Sequence, residues 1–164
     1  MRVLSSADVE RGAPAARRLV GRARVFLAAL GRVEGELSIL VTGDAGIRRL
    51  NRRWRGKDRS TDVLSFPLSD PPGAGPALGD VVISIDTAVR RGGDHARAVR
   101  MELDRYLAHG ILHLLGFDHE RRADAVAMAA REEALLRGEG LVGAALETKA
   151  KGRQGAGTRR RKKG

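Results

Sequence analysis

Residues 94–116, DHARAVRMELDRYLAHGILHLLG, form the longest helical pattern in the chain. Val99, Leu103, Tyr106, Leu107, Ile111, Leu114 and Leu115 mark its buried side by their three- and four-residue spacings. Gly116 suits a left-handed stop. Upstream, GDVVISID (79–86) reads as a strand in the interior of a sheet, and DVLSFP (62–67) as a short strand ended by Pro67. Between them SDPPGAGPALG is a loop by its Pro and Gly content. ELSILVT (36–42) alternates and is β-branched, a third strand. Asp44 is placed to cap a short helix, AGIRRLNRRW. PAARRLVGRARVFLAAL (14–30) is helical, with Leu19, Val20, Ala23, Phe26, Leu27 and Leu30 on one side, Pro14 in the first turn and Gly31 at the stop. A last helix begins near Ala123 and closes with EEALLRGEGL. The order helix, strand, helix, strand, strand, helix, helix predicts an α+β domain, a small sheet packed with helices.

The chain has 164 residues, the length of one ordinary domain. It has no cysteine, which excludes disulfides, thiolate metal sites and Cys nucleophiles together. The N-terminal stretch has no apolar core of signal-peptide length, and no run approaches the ~18 apolar residues of a membrane span. A soluble, cytoplasmic protein without membrane contact is expected. Net charge is +11, from 31 basic and 20 acidic residues. From Lys149 to Gly164 the chain carries eight Lys or Arg and no acid. That segment has no hydrophobic residue larger than Ala, so it cannot fold alone. Residues 1–147 are therefore read as the domain and 148–164 as a disordered basic tail. The tail suits a polyanion, through counterion release, or is simply solvated.

The end of the long helix and the turn after it, HGILHLLGFDH (109–119), hold three of the four histidines. The pattern is H-x-x-x-H-x-x-G-x-x-H. His109 and His113 are four apart, so both imidazoles lie on one helix face. Gly116 permits the chain to reverse, and His119 follows three residues later. Three neutral imidazoles around one zinc ion leave a fourth tetrahedral position open, as in a catalytic site. A lone His on a helix is more often packed or exposed than a ligand, and His95 is given no role. A zinc protease has Glu after the first His, to take a proton from water and deliver it to the leaving amine. Gly110 stands there instead. That argues against amide cleavage and toward a hydrolysis whose difficulty is anionic charge, which cations relieve. Asp62, Asp80, Asp118 and Glu120 are the candidates for a carboxylate that acts in its place.

A second constellation, LNRRWRGKDRSTDVLSFP (50–67), crowds Arg52, Arg53, Arg55, Lys57 and Arg59 around the only Trp. Basic residues with an aromatic suit phosphate contacts and base stacking. The plainer alternative puts Trp54 in the core, with the arginines solvating the outer face.

WRGKDRSTDVLSFP, LGDVVIS and HGILHLLGFDH, in this order, resemble the YbeY family of rRNA maturation endoribonucleases. The likeness runs from about Asn51 to Leu136. It implies a small mixed β-sheet packed with helices, one of them carrying the metal-binding HxxxHxxGxxH motif. It implies a metal-dependent, single-strand-specific endoribonuclease acting in 16S rRNA 3′-end processing and ribosome quality control. Single-stranded RNA, the small ribosomal subunit and its proteins are the implied partners. One Zn2+ on His109, His113 and His119 is implied, and Arg55 matches the family's functionally important arginine. Arg52, Arg53, Lys57 and Arg59 are expected to contact RNA. Three features depart from the family: Arg105 where a His is frequent, Phe117 where Tyr is usual, and the tail beyond Thr148.

The expected mechanism has zinc polarising a water or phosphate oxygen while Arg55 neutralises charge on the phosphoryl group. The nucleophile, water or the RNA 2′-hydroxyl, stays open; the second gives a cyclic phosphate. Two rivals stand beside it: a non-catalytic, zinc-stabilised ribosome-assembly factor, and a zincin-like metallopeptidase, which Gly110 opposes.

Overall fold

The computed structural model of the chain describes residues 1–68, 77–117 and 122–139. Most of the expected Pro- and Gly-rich loop, residues 69–76, lies outside them, as does the basic tail. The elements run β1 (Arg2–Ala7), a 3-10 turn at Glu10–Gly12, α1 (Ala13–Ala29), β2 (Glu36–Thr42), α2 (Asp44–Arg55), β3 (Val63–Pro67), β4 (Ala77–Ser84), α3 (Ile85–Gly92), α4 (Ala96–Leu114) and α5 (Arg122–Arg137). The strands form one sheet in the order β1-β2-β4-β3. β1, β2 and β4 are parallel, and β3 runs antiparallel to β4. The architecture is the expected α+β one, with a small mixed sheet and β4 in its interior.

Alternation along the strands divides the sheet into two faces. Leu37, Ile39 and Val41 of β2 and Val81 and Ile83 of β4 point to the larger core. There they meet Leu19, Phe26 and Leu27 of α1 and Leu107, Ile111 and Leu112 of α4, all fully buried. Val82 and Leu64 point the other way, where Ile47 of α2 covers them beside Leu40, Leu50 and Phe66. So α1 and α4 lie on one face and α2 on the other. No helix of the described residues is long and apolar enough to cross a membrane.

Three local expectations need correcting. β1 was not expected, because Val3 is its one buried residue and polar neighbours hide the strand pattern. It is an edge strand held by its parallel ladder to β2. The strand expected over 79–86 ends at Ser84, whose Oγ accepts the Thr87 N–H at 3.1 Å and caps α3. Asp44 does not cap α2: it lies inside the helix, with Gly43 before it. Its N–H donates to Asp86 Oδ2 at 2.9 Å, so the cap comes from α3.

The Asp44 carboxylate instead ties α2 to α3, accepting from Ser84 Oγ, Thr87 Oγ1 and Arg90. Burial pushes its pKa up, but those hydrogen bonds and the Arg90 charge prevail and hold it below the usual 3.8. A depressed carboxylate stabilises the fold above its unfolded pKa, and that contribution is lost as pH falls through the folded value. Unfolding monitored from pH 6 downward is therefore expected to show wild-type stability falling below pH 3.8. Asp44→Asn should be less stable at pH 6 and fall less steeply. Equal slopes for the two proteins would exclude this role for Asp44.

Candidate active site

α4 carries His109 and His113 one turn apart. Their rings are 4.6 Å apart between centroids at 74°. The two Nε2 atoms approach to 3.1 Å, so both rings aim at one point. Two nitrogens of a tetrahedral zinc site, each ~2.0–2.1 Å from the ion, lie about 3.3 Å apart. The pair fits that donor set as it stands. The other nitrogen of His109, Nδ1, is 3.1 Å from Glu132 Oε2 on α5.

The helix stops where the glycine predicts. Gly116 takes φ 84°, and its N–H donates to the His113 carbonyl at 2.9 Å. The Phe117 N–H returns to the Leu112 carbonyl at 3.1 Å. This Schellman pattern turns the chain immediately after the second histidine. His119, with Asp118 and Glu120, lies outside the described residues. Among the described residues no third His, Asp or Glu completes a ligand set.

A cleft of about 670 Å³ opens beside the histidine pair. Arg55, Lys57 and Arg59 line it together with His109, His113 and Phe117. Arg55 donates from Nη2 to the Ser65 carbonyl at 3.0 Å, which sets its guanidinium against β3. Gly56 takes φ 66° and turns the chain out of α2. The Lys57 N–H then returns to the Asn51 carbonyl at 3.3 Å. Asn51 is 3% exposed, and its Nδ2 donates to the Arg59 carbonyl at 2.8 Å. One buried amide thus holds the basic turn to the helix. Arg48 Nε and Nη2 grip the Asp58 carboxylate at 2.9 and 3.0 Å on the outside of the same turn.

The basic cluster read as one unit divides. Arg52 and Arg53 do not line the cleft. Trp54 is 60% exposed, so it is not a core residue. It meets Phe66 edge-on at 6.2 Å, with the Arg53 guanidinium 5.3 Å from its ring centroid. Trp54 lines a separate groove of about 600 Å³ with Leu50, Phe66 and Asp80. Of the candidate carboxylates, Asp80 therefore faces away from the histidines. Asp62 is on the cleft wall, but its Oδ1 accepts from Thr61 Oγ1 and the Val63 N–H, and its Oδ2 lies 3.4 Å from Arg91.

Both departures near the histidines have structural surroundings. The Phe117 ring lies under the Arg131 guanidinium, 4.8 Å from its centroid. Arg105 reaches to 4.0 Å from Glu132 Oε1. Glu132, Asn51 and Ser65 were not singled out in the sequence. Of these only Glu132 left a trace there: Met128, Glu132 and Leu135 share one face of α5 at i, i+4 and i+7.

The family model described as endoribonuclease YbeY matches residues 10–139. The chain is 66% identical over 146 residues to the endoribonuclease YbeY of Anaeromyxobacter sp. strain Fw109-5, covering 89% of this chain and 76% of that one. It is 51% identical over 147 residues to the endoribonuclease YbeY of Myxococcus xanthus, covering 88% and 50%. The solution structure of a Thermotoga maritima protein superposes with a TM-score of 0.57 at 24% identity, over 84% of this chain and 87% of that one. That likeness is one of fold.

Proposed function

The chain belongs to the endoribonuclease YbeY family, and from that membership we propose that it cuts single-stranded RNA at a zinc site. Its task in this proposal is 16S rRNA 3′-end processing and ribosome quality control in the cytoplasm, on the small ribosomal subunit. The observation that carries it is the convergence of the His109 and His113 Nε2 atoms beside a cleft walled by Arg55, Lys57 and Arg59.

His109, His113 and His119 would hold the metal. A zinc ion held there supplies Lewis-acid chemistry toward a phosphodiester. The chain's own residues do the rest. Arg55, oriented by the Ser65 carbonyl, meets the reacting phosphate and offsets its growing negative charge. Lys57 and Arg59 hold flanking phosphates on a turn kept in place by Asn51. Gly110 stands immediately after His109, so that position supplies no carboxylate to deliver a proton to a leaving amine. The nucleophile is water or the RNA 2′-hydroxyl, and the product end distinguishes them.

Purified protein with its zinc quantified is expected to cut a labelled single-stranded RNA and to spare the duplex of the same sequence. Chelation should abolish cutting, and added zinc should restore it. A cyclic phosphate at the product 3′ end would identify the 2′-hydroxyl as nucleophile. Tight zinc binding without cutting above the level of His113→Ala would favour a non-catalytic assembly factor instead.

A further inference from the structure

We infer that Glu132 is a positioning residue for the proposed metal site: its carboxylate fixes the tautomer and orientation of the His109 ring. The inference rests on the zinc reading above and adds a residue from another helix. Glu132 Oε2 lies 3.1 Å from His109 Nδ1, while Nε2 of the same ring faces His113. An ionised carboxylate only accepts hydrogen bonds. Nδ1 must then carry the proton, and in the neutral ring Nε2 presents its lone pair to the point shared with His113. The same contact makes the imidazole a stronger donor to a cation.

Glu132 is built in rather than draped on the surface. Its side chain is 15% exposed. Met128 and Leu135, one turn to either side on the same face, are 2% and 1% exposed. A carboxylate in the middle of an apolar stripe is costly to bury without a partner. His109 is that partner, and Arg105 stands 4.0 Å from the other oxygen. Arg105 is 53% exposed, so its attraction is screened and secondary. It does account for the Arg at this position: its charge faces the second oxygen of a carboxylate whose first is engaged.

A purely structural tie between α4 and α5 would use the same contact, so the test must read the ring itself. In metal-free, 15N-histidine-labelled protein, the His109 ring nitrogens should report a proton on Nδ1. Glu132→Met continues the apolar stripe and keeps helix propensity, so the fold is retained. In that variant the His109 signal should move toward the Nε2–H tautomer. Zinc affinity, measured by competition with a chromogenic chelator, should fall about 10- to 100-fold. Glu132→Gln keeps an oxygen acceptor and should restore the Nδ1–H tautomer and most of the affinity. An unchanged tautomer with affinity within about twofold of wild type in Glu132→Met overturns the inference, even if the variant melts earlier. If wild-type protein binds no zinc, the zinc reading fails by itself, and the tautomer of the metal-free protein still decides the role of Glu132.

Discussion

Glu placed at position 110 is expected to unfold the protein rather than turn it into a peptidase. The spacing of the histidines invites the substitution, since it would restore the zinc-protease pattern. The packing forbids it. Gly110 is buried, and a Cβ built on it would lie 2.8 Å from Val81 Cγ1 and 3.2 Å from Ser65 Oγ. Val81 and Ser65 are cross-strand partners of β4 and β3, so the helix backbone rests directly on the sheet at this point. The Ser65 hydroxyl also donates to the Gly110 carbonyl at 3.2 Å. Gly110→Ala must displace Val81, at a cost of about 1–3 kcal/mol for overpacking. A helix-propensity gain of up to ~1 kcal/mol works against that cost. Gly110→Glu adds an unpaired carboxylate in an apolar layer, several kcal/mol more. Against a typical stability of about 5–15 kcal/mol, that removes most or all of the folded population. Denaturant midpoints for Gly110→Ala and Gly110→Glu, with the Val81→Ala/Gly110→Ala double variant, measure it. Measured against Val81→Ala alone, Gly110→Ala should cost less than it does in the wild-type background, because the clash is with Val81. A folded Gly110→Glu protein of wild-type stability would exclude this account.

The same contact shows how far the sequence could be read. β2 was legible to the residue, because its alternation serves one core on one face and one on the other. The histidine pair was legible because helical spacing alone brings residues i and i+4 together. The meaning of Gly110 was legible only in part. Its chemistry, the lack of a carboxylate at that position, is a local fact, but its contact with Val81 and Ser65 joins three elements across a sheet. α3 was hidden for a similar reason: Ser84 ends the strand by capping a helix whose first residue, Ile85, suits either element. Glu132 comes from a helix beyond the turn, and nothing local assigns it to His109. The basic cluster is a different case. Arg52, Arg53, Trp54 and Arg55 are consecutive, and α2 turns each about 100° from the last. A run that looks like one patch in sequence must spread around the helix, and only Arg55 of the four lines the histidine cleft.

Arg55→Ala is expected to lower the rate of RNA cleavage by about 10²- to 10³-fold, the usual loss when one donor aimed at developing charge is removed. Zinc content should stay at the wild-type level, because Arg55 is not among the proposed ligands. The fold should lose only about 1.5–3 kcal/mol, for one hydrogen bond from a charged group to the Ser65 carbonyl. Arg55→Lys separates charge from shape. It keeps the cation but not the planar fork, and a fork can spend one arm on Ser65 while offering the other to a phosphate. A lysine ammonium at this position must divide itself between the two, so rescue should be partial. Arg52→Ala serves as the control: it removes equal charge from the same helix outside the cleft, and its effect should stay within about threefold and shrink as salt rises. Single-turnover cleavage, with zinc measured on each variant, gives all four values. If Arg55→Ala cuts as fast as wild type, the cleft's arginine has no part in the chemistry. If Arg52→Ala and Arg55→Ala lose activity equally, the arginines act by net charge alone. A selective loss at Arg55, with zinc retained, ties turnover to the one guanidinium of the 52–55 run that β3 holds against the histidine cleft.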